Sequence, residues 1–100
     1  MIKRILPHKP VSFEWDKGNI TKNWKKHEVS NDKCEQIFVN TPKVFADAKY
    51  SDREKRMTAY GKTDGGRCLT IVFTYRQLFI RVISARDQNK KEKAKYETKN

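Results

Sequence analysis

Residues 57–86 read MTAYGKTDGGRCLTIVFTYRQLFIRVISAR and contain three short runs rich in β-branched and aromatic side chains. The first two runs are separated by TDGG, residues 63–66, which tolerate the positive φ values of a tight hairpin turn. A second tight connection at Arg76-Gln77 separates the last two runs. Three consecutive strands at this spacing predict an antiparallel meander that buries one face against helices.

The segment before this meander predicts a strand followed by a helix. Residues 11–16, VSFEWD, alternate apolar and polar side chains as a half-buried strand would. Asp16 is well placed to cap a helix in the segment KGNITKNWKKHE, residues 17–28. One face of that helix, at i, i+4 and i+7, consists of Ile20, Trp24 and His27. We expect this face to point to the core and the lysines between its members to point to solvent.

A second helical pattern covers VSNDKCEQIFV, residues 29–39. Ser30 can cap this helix, and Asp32 lies in its first turn, where the helix dipole favours a carboxylate. Its apolar stripe consists of Cys34, Ile37 and Phe38. Because Thr41-Pro42 stops the pattern, the N-terminal part is expected to form two short helices or one bent helix.

The remaining segments are strongly charged. Residues 47–56, DAKYSDREKR, are expected to form an exposed loop. The tail QNKKEKAKYETKN, residues 88–100, permits a short helix that docks weakly through Ala94 and Tyr96.

One hundred residues suffice for one hydrophobic core, so a single domain over residues 1–100 is predicted. Its class is α+β, with N-terminal helices packed on one face of a small antiparallel sheet and a short C-terminal helix. Residues 1–10 and 97–100 are expected to be flexible.

The composition predicts a polyanionic partner. The chain has 23 Lys+Arg against 12 Asp+Glu, a formal net charge of +11, which attracts nucleic acid, an anionic membrane or an acidic protein. No stretch approaches the ~20 apolar residues of a membrane span, so a cytoplasmic protein without a membrane partner is expected. Membrane-surface binding through the terminal helix is disfavoured because the apolar face of that helix is too small. Cys34 and Cys68 lie far apart without companion ligands, which predicts neither a disulfide nor a zinc site.

The sequence lacks a glycine-rich phosphate loop, a Gly-x-Ser-x-Gly elbow and a His-Glu-x-x-His helix. Its surplus of Arg, Lys and Tyr favours phosphodiester chemistry without a metal or cofactor. RNA is the easiest substrate, because its own 2′-hydroxyl is the nucleophile. The protein then has only to orient the backbone, neutralise charge on phosphorus and move protons.

Two arginines of the last strand are the first candidates for holding a phosphate. Strict alternation places Arg81 on one face with Phe79 and Ala85, where a charge is out of character. The planar guanidinium matches a phosphate, but an ion pair with a carboxylate of residues 52–54 is an equally good interpretation. Arg86, at the strand end, is expected to be more exposed, which favours a functional role.

His27 and Glu54 are the candidates for proton transfer. The imidazole follows Lys25 and Lys26 at a helix end and could act as base or acid, or could instead pack against its apolar neighbours. Side chains expected to position RNA are Lys25, Lys26, Arg56, Lys91 and Tyr96. The lysines supply an attraction for phosphates that weakens with salt, whereas Tyr96 either stacks on a base or anchors the terminal helix.

Three stretches together resemble, in order and spacing, the BrnT family of toxins from bacterial type II toxin–antitoxin systems. They are FEWDKGNITKNWKKHEVS at 13–30, YSDREKRMTAYGKTDGGRCLTIVFTYR at 50–76 and IRVISARDQNKKEKAKYE at 80–97. Family members usually carry Gly after the histidine and an acidic pair after the serine. Here Glu28 and Asn31-Asp32-Lys33 stand at those positions.

The resemblance implies a RelE-like fold and a metal-independent endoribonuclease that halts translation by cutting RNA. It also implies a cognate antitoxin of the BrnA type, which neutralises the toxin and binds operator DNA, so the toxin would reach DNA only through that protein. In the leading hypothesis Arg81 and Arg86 hold the scissile phosphate. The alternative is a noncatalytic basic module that binds RNA or an antitoxin; both predict salt-sensitive RNA affinity, but only the first predicts cleaved product.

Overall fold

The computed structural model describes residues 12–47 and 56–98. These residues form an α+β structure with the elements β1 (Ser12–Phe13), α1 (Lys22–His27), α2 (Asn31–Val39), β2 (Lys43–Asp47), β3 (Arg56–Lys62), β4 (Cys68–Arg76), β5 (Phe79–Asp87) and α3 (Lys90–Glu97). The predictions made for residues 1–10, for the 52–54 carboxylates and for Glu54 lie outside the described residues.

The strands form one sheet in the order β1-β5-β4-β3-β2. The predicted β3–β4–β5 meander is confirmed, with Gly66 at φ 95° in the first turn and Gln77 at φ 57° in the second. The sheet was predicted to be small and antiparallel, but in the described residues it has five strands and is mixed. β2 adds a fourth antiparallel strand between the Thr41-Pro42 stop signal and the predicted loop at 47–56, where no element was predicted, and β1 pairs in parallel with Phe79 and Ile80 of β5.

The hydrophobic core lies between α2 and one face of the sheet. Ser30 caps α2 by accepting a 3.2 Å hydrogen bond from the Lys33 amide, as predicted. The predicted apolar stripe of α2 is buried against residues of the sheet. The core residues contributed by α2 and the sheet include Cys34, Ile37, Phe38, Leu69, Ile71, Phe73, Ile80 and Val82. Gly61 of β3 permits the close approach of α2, because a Cβ at that position would lie 2.7 Å from Ile37 Cγ2.

A β-bulge in β5 changes which face its last residues occupy. Val72 pairs with Ser84 whereas Phe73 pairs with Val82, so Ile83 is an extra residue in β5. Beyond the bulge, Ala85 is buried in the core. Strict alternation, which placed Ala85 on the face of Arg81, was therefore wrong.

The segment before α1 forms a turn, and Asp16 does not cap the helix. The Asp16 carboxylate accepts a 2.9 Å hydrogen bond from the Gly18 amide, and its carbonyl accepts from the amides of Asn19 and Ile20. α1 begins only at Lys22, and its N-cap Thr21 makes no side-chain hydrogen bond to the helix. The predicted strand at 11–16 is reduced to two described residues in β1.

The face of α1 expected to point to the core is instead solvent-exposed. Trp24 is 58% exposed, Ile20 is 45% exposed, and His27 is exposed as well. The buried residues are one position earlier in the sequence, at Asn19 and Asn23.

These two asparagines bind the free edge of β5. Asn19 Nδ2 donates to the Val82 carbonyl and Asn23 Oδ1 accepts from the Ala85 amide, each over 3.0 Å. The side chains thus continue the hydrogen bonding that the short β1 begins, which explains why α1 lies along this edge.

Candidate functional site

The sheet face opposite the core carries polar side chains aligned across neighbouring strands. In one row, Tyr60 of β3 lies opposite Thr70 of β4, which lies opposite Arg86 of β5. Nearer the other end of β5, Arg81 lies opposite Thr74. We call this surface the polar face and define it by Tyr60, Thr70, Thr74, Arg81, Ser84 and Arg86. The bulge therefore brings both candidate arginines onto one face.

Arg86 forms a bidentate ion pair with Glu92 of α3. Each of its terminal nitrogens lies 2.8 Å from one oxygen of the carboxylate. The Thr70 hydroxyl and the Asn89 amide each donate to Glu92 Oε1 over 2.9 Å. The Glu92 side chain is only 15% exposed, and the hydrogen bonds from Arg86 above all lower the pKa of its carboxyl to about 2.

Arg81 is held by the segment that follows β1. Its terminal nitrogens donate to the two oxygens of Asp16 over 2.8 and 3.1 Å, and Glu14 Oε1 lies 3.4 Å from Nη1. These contacts leave the Arg81 side chain 18% exposed, and its hydrogen bonds lower the pKa of the Asp16 carboxyl. The carboxylates that pair with Arg81 among the described residues thus come from Glu14 and Asp16, and the alternative ion pair with residues 52–54 lies outside those residues.

His27 lies at the C-terminal end of α1, where Arg67 joins that helix to β5. The Arg67 guanidinium donates to the carbonyls of His27 and Glu28 over 3.0 and 2.9 Å, and its Nε donates to Asp87 over 2.7 Å. The Arg67 hydrogen bond lowers the pKa of Asp87, and the nearby His27 adds a smaller effect in the same direction. No hydrogen bond between described residues joins the His27 side chain to Arg81 or Arg86.

Arg67 was missed in the sequence, although it satisfies carbonyls that end α1. The sequence feature that could have identified Arg67 is its position as a single arginine directly after the TDGG turn, at the start of an otherwise apolar strand. Glu28 next to it adopts the left-handed conformation, with φ 56° and ψ 41°. This is the position where the resemblance noted above predicts glycine.

The predicted terminal helix exists as α3, and polar contacts hold it across the polar face. It has no buried residue. Lys43 of β2 donates to the carbonyls of Lys95 and Thr98, and Lys95 Nζ lies 4.5 Å from the centre of the Phe45 ring. Asn89 and Glu92 form a capping box at the start of the helix.

A family model described as "Ribonuclease toxin, BrnT, of type II toxin-antitoxin system" matches residues 15–92. The chain belongs to the BrnT family. It is accordingly a ribonuclease toxin of a toxin–antitoxin system, with RNA as substrate and an antitoxin protein as partner. No curated protein matches the chain.

The matched segment of this BrnT toxin contains Arg81 with its partner Asp16 and Arg86 with its partner Glu92, whereas Glu14 lies one position before it. Among the RNA-positioning candidates, Lys25 and Lys26 are exposed on α1, beside the β5 edge, and Lys91 is exposed on α3. Tyr96 is half-buried on α3, and burial raises the pKa of its phenol. Arg56 is half-buried at the start of β3. The structure therefore distributes these BrnT residues over two flanking helices and the sheet.

The described part of the BrnT chain contains no cluster of three or more His, Cys, Asp or Glu side chains able to hold a metal ion. Both cysteines are free thiols, and burial raises the pKa of Cys34 to about 12.

No helix among residues 12–47 and 56–98 combines the length and hydropathy needed to cross a membrane.

Proposed function

We propose that this BrnT toxin is a metal-independent endoribonuclease of RelE-like fold that acts in the cytoplasm, cuts RNA and thereby inhibits translation. The observation that supports the proposal most directly is the position of Arg81 and Arg86 on one polar face. Both side chains project from a strand that pairs with β4 along its length and is bound at its other edge by β1 and by the side chains of Asn19 and Asn23, which limits their motion. Two guanidinium groups on a rigid surface suit an anion with several oxygens.

The chemistry begins with attack of the RNA 2′-oxygen on the adjacent phosphorus. A 2′-O–P bond forms and the P–O5′ bond breaks, which leaves a 2′,3′-cyclic phosphate and a free 5′-hydroxyl. One proton leaves the 2′-hydroxyl and one is delivered to the departing 5′-oxygen. In this scheme Arg81 and Arg86 neutralise the charge that develops on phosphorus, and His27 and Glu54 transfer the protons.

The remaining candidates position the RNA. The formal net charge of +11 attracts the phosphate backbone over a distance set by the salt concentration. Lys25, Lys26 and Lys91 supply exposed ammonium groups, while Arg56 and Tyr96 contact the backbone or a base. Each lysine adds affinity, but none is required for the chemical step.

The partner is an antitoxin of the BrnA type, and the toxin reaches operator DNA only through it. Ile20, in the turn before α1, and Trp24 of α1 expose an apolar surface, and the charged residues of that helix are all basic. Such a surface suits an antitoxin segment that combines apolar and acidic side chains.

The second candidate is a noncatalytic module that binds RNA or the antitoxin. The observation that favours it is that each candidate arginine is already paired with a carboxylate. Incubation of antitoxin-free protein with RNA in EDTA separates the two candidates. Cleavage that Arg86→Ala abolishes and Lys91→Ala leaves intact supports the nuclease, whereas intact RNA at every protein concentration eliminates it.

A further inference from the structure

The donors around Glu92 are the ones that a phosphate group would use. The Arg86 fork contributes two charged N–H donors, and the Thr70 hydroxyl contributes a third donor from the neighbouring strand. A carboxylate and a phosphodiester both present two oxygens to such a fork. The Glu92 carboxylate therefore occupies a preformed anion site at the sheet surface.

Tyr60 completes the row on the other side of Thr70. Its hydroxyl belongs to a half-buried side chain, and burial together with the nearby Glu92 carboxylate raises the pKa of the phenol. The group therefore stays protonated near neutral pH and can donate a hydrogen bond to an anion.

The helix that delivers Glu92 is weakly attached. α3 has eight residues, none of them buried, and a helix of this length is not stable in water without tertiary contacts. Apart from the contacts of Glu92 and the half-buried Tyr96, the described residues hold it through the Lys95–Phe45 interaction and the hydrogen bonds from Lys43. The helix also carries four lysines, which favour a nearby polyanion: Lys90, Lys91, Lys93 and Lys95.

The other arginine of the polar face is bound more firmly. Asp16, which pairs with Arg81, belongs to a turn that Asn19 fixes through three hydrogen bonds, to the Asp16 amide and to the carbonyls of Glu14 and Val82. Among residues 12–47 and 56–98, the carboxylate that pairs with Arg86 is that of Glu92 on the weakly attached helix, and the guanidinium also donates to the Asp87 carbonyl over 3.1 Å. Of the two arginines, Arg86 is thus the one whose carboxylate can be exchanged.

We propose that Arg86 and Thr70 form a phosphodiester-binding site that Glu92 occupies in the free toxin, so that RNA must displace Glu92, and α3 with it, to reach Arg86. This inference rests on the proposed function and adds that Glu92, a residue of the toxin itself, competes with RNA for Arg86. The fraction of molecules with α3 displaced limits the apparent RNA affinity.

Two variants that each remove one negative charge, at different places in the structure, test this proposal. Glu92→Gln removes the competing carboxylate but keeps a side-chain oxygen that can accept from Asn89 in the capping box. Asp32→Asn also removes one negative charge, in the first turn of α2, where Asp32 accepts a hydrogen bond from Gln36. The probe is a short single-stranded oligoribonucleotide with 2′-O-methyl groups, which cannot be cut, and binding is followed by fluorescence anisotropy.

We expect Glu92→Gln to bind the probe about threefold to tenfold more tightly than Asp32→Asn. The gain should vanish when Arg86→Ala is added to Glu92→Gln. In the wild-type toxin, the probe should also accelerate amide hydrogen exchange across residues 90–97. Thermal melting near neutral pH verifies that each variant is folded.

Equal or weaker binding by Glu92→Gln, or slower exchange of α3 on addition of the probe, overturns the inference and makes Glu92 a residue that orients Arg86. Failure of the proposed function looks different. In that case RNA remains intact in the cleavage assay even if Glu92→Gln binds the probe more tightly. Conversely, Arg86-dependent cleavage without tighter binding by Glu92→Gln preserves the nuclease and removes only the competition.

Discussion

Arg81 and Arg86 share the polar face although five positions separate them in β5, and an odd separation in a regular strand puts side chains on opposite faces. The extra residue at the bulge, Ile83, shifts the alternation between them. The two guanidinium groups consequently belong to one surface, and a function that uses both becomes possible.

Replacement of Arg86 by lysine tests whether the shape of the guanidinium matters as well as its charge. Lysine keeps the positive charge but cannot make the bidentate contact. We expect Arg86→Lys to lower the rate of RNA cleavage in EDTA by about 100-fold, a typical loss for one donor to a developing anion. Lys91→Ala should stay within about twofold of wild type under the same conditions. An Arg86→Lys rate equal to wild type would contradict a bidentate role.

Acid should weaken the toxin partly through Glu92. Since the folded state lowers the pKa of this carboxyl from its ordinary value to about 2, its stabilising effect is complete above pH ~4.5 and is lost as the pH falls towards 2. A lowering of the pKa from 4.5 to about 2 corresponds to roughly 3 kcal/mol. Urea unfolding at pH 7 and pH 2.5 should show a smaller loss of stability for Glu92→Gln than for wild type. Asp32→Asn should behave like wild type.

The backbone at Glu28 is in a conformation that glycine adopts more easily. Its φ of 56° follows the last turn of α1, where a left-handed residue closes the helix. Glu28→Gly should raise the free energy of unfolding by about 0.5–1 kcal/mol, whereas Glu28→Ala should bring no such gain. Thermal or urea unfolding of the three proteins measures the difference. Equal gains for both variants would point to the lost charge as the cause.

The buried amide of Asn19 should contribute much more stability than an exposed one. Its side chain makes three hydrogen bonds, including one to the Val82 carbonyl of the sheet edge. We expect Asn19→Ala to lower the free energy of unfolding by roughly 2–4 kcal/mol because buried partners lose their hydrogen bonds. Asn31→Ala, which removes an exposed amide bonded to the Ile20 carbonyl, should cost less than about 1 kcal/mol.

The two tryptophans should differ in their access to solvent. Trp24 is exposed, whereas Trp15 is half-buried and donates a 2.8 Å hydrogen bond to Glu35. Acrylamide should therefore quench the tryptophan fluorescence of Trp15→Phe, which retains only Trp24, more strongly than that of Trp24→Phe. The opposite order would support the core-facing Trp24 that helical periodicity predicted.

The sequence allowed the meander and α2 to be predicted because their hydrophobic patterns were regular. It did not reveal β2, whose five residues follow a proline and precede a charged segment. The buried face of the α1 segment was predicted one position too late in the sequence. Asn19 and Asn23, which are buried, have the same four-residue spacing as Ile20 and Trp24, which are exposed. Apolar periodicity cannot detect a helix whose buried face hydrogen-bonds to a strand edge.

The candidate site was only partly predictable for a similar reason. That Arg81 and Arg86 are unusual could be recognised from their residue type and strand position. Their partners could not, because Asp16 and Glu92 are brought to the sheet by the turn after β1 and by α3, and neither contact leaves a local pattern. The bulge also has no sequence signal, since it appears only when the register of β4 against β5 is known.

In this toxin the side chains of Asn19 and Asn23 make hydrogen bonds to the edge of β5 that a neighbouring strand would otherwise make. The solubility of the protein therefore depends on α1 staying in place. If α1 detaches, the Val82 carbonyl and the Ala85 amide lose their partners and that stretch of β5 becomes an open edge. An open edge can pair with the same edge of another molecule, so local opening of this short helix would begin aggregation before the core unfolds.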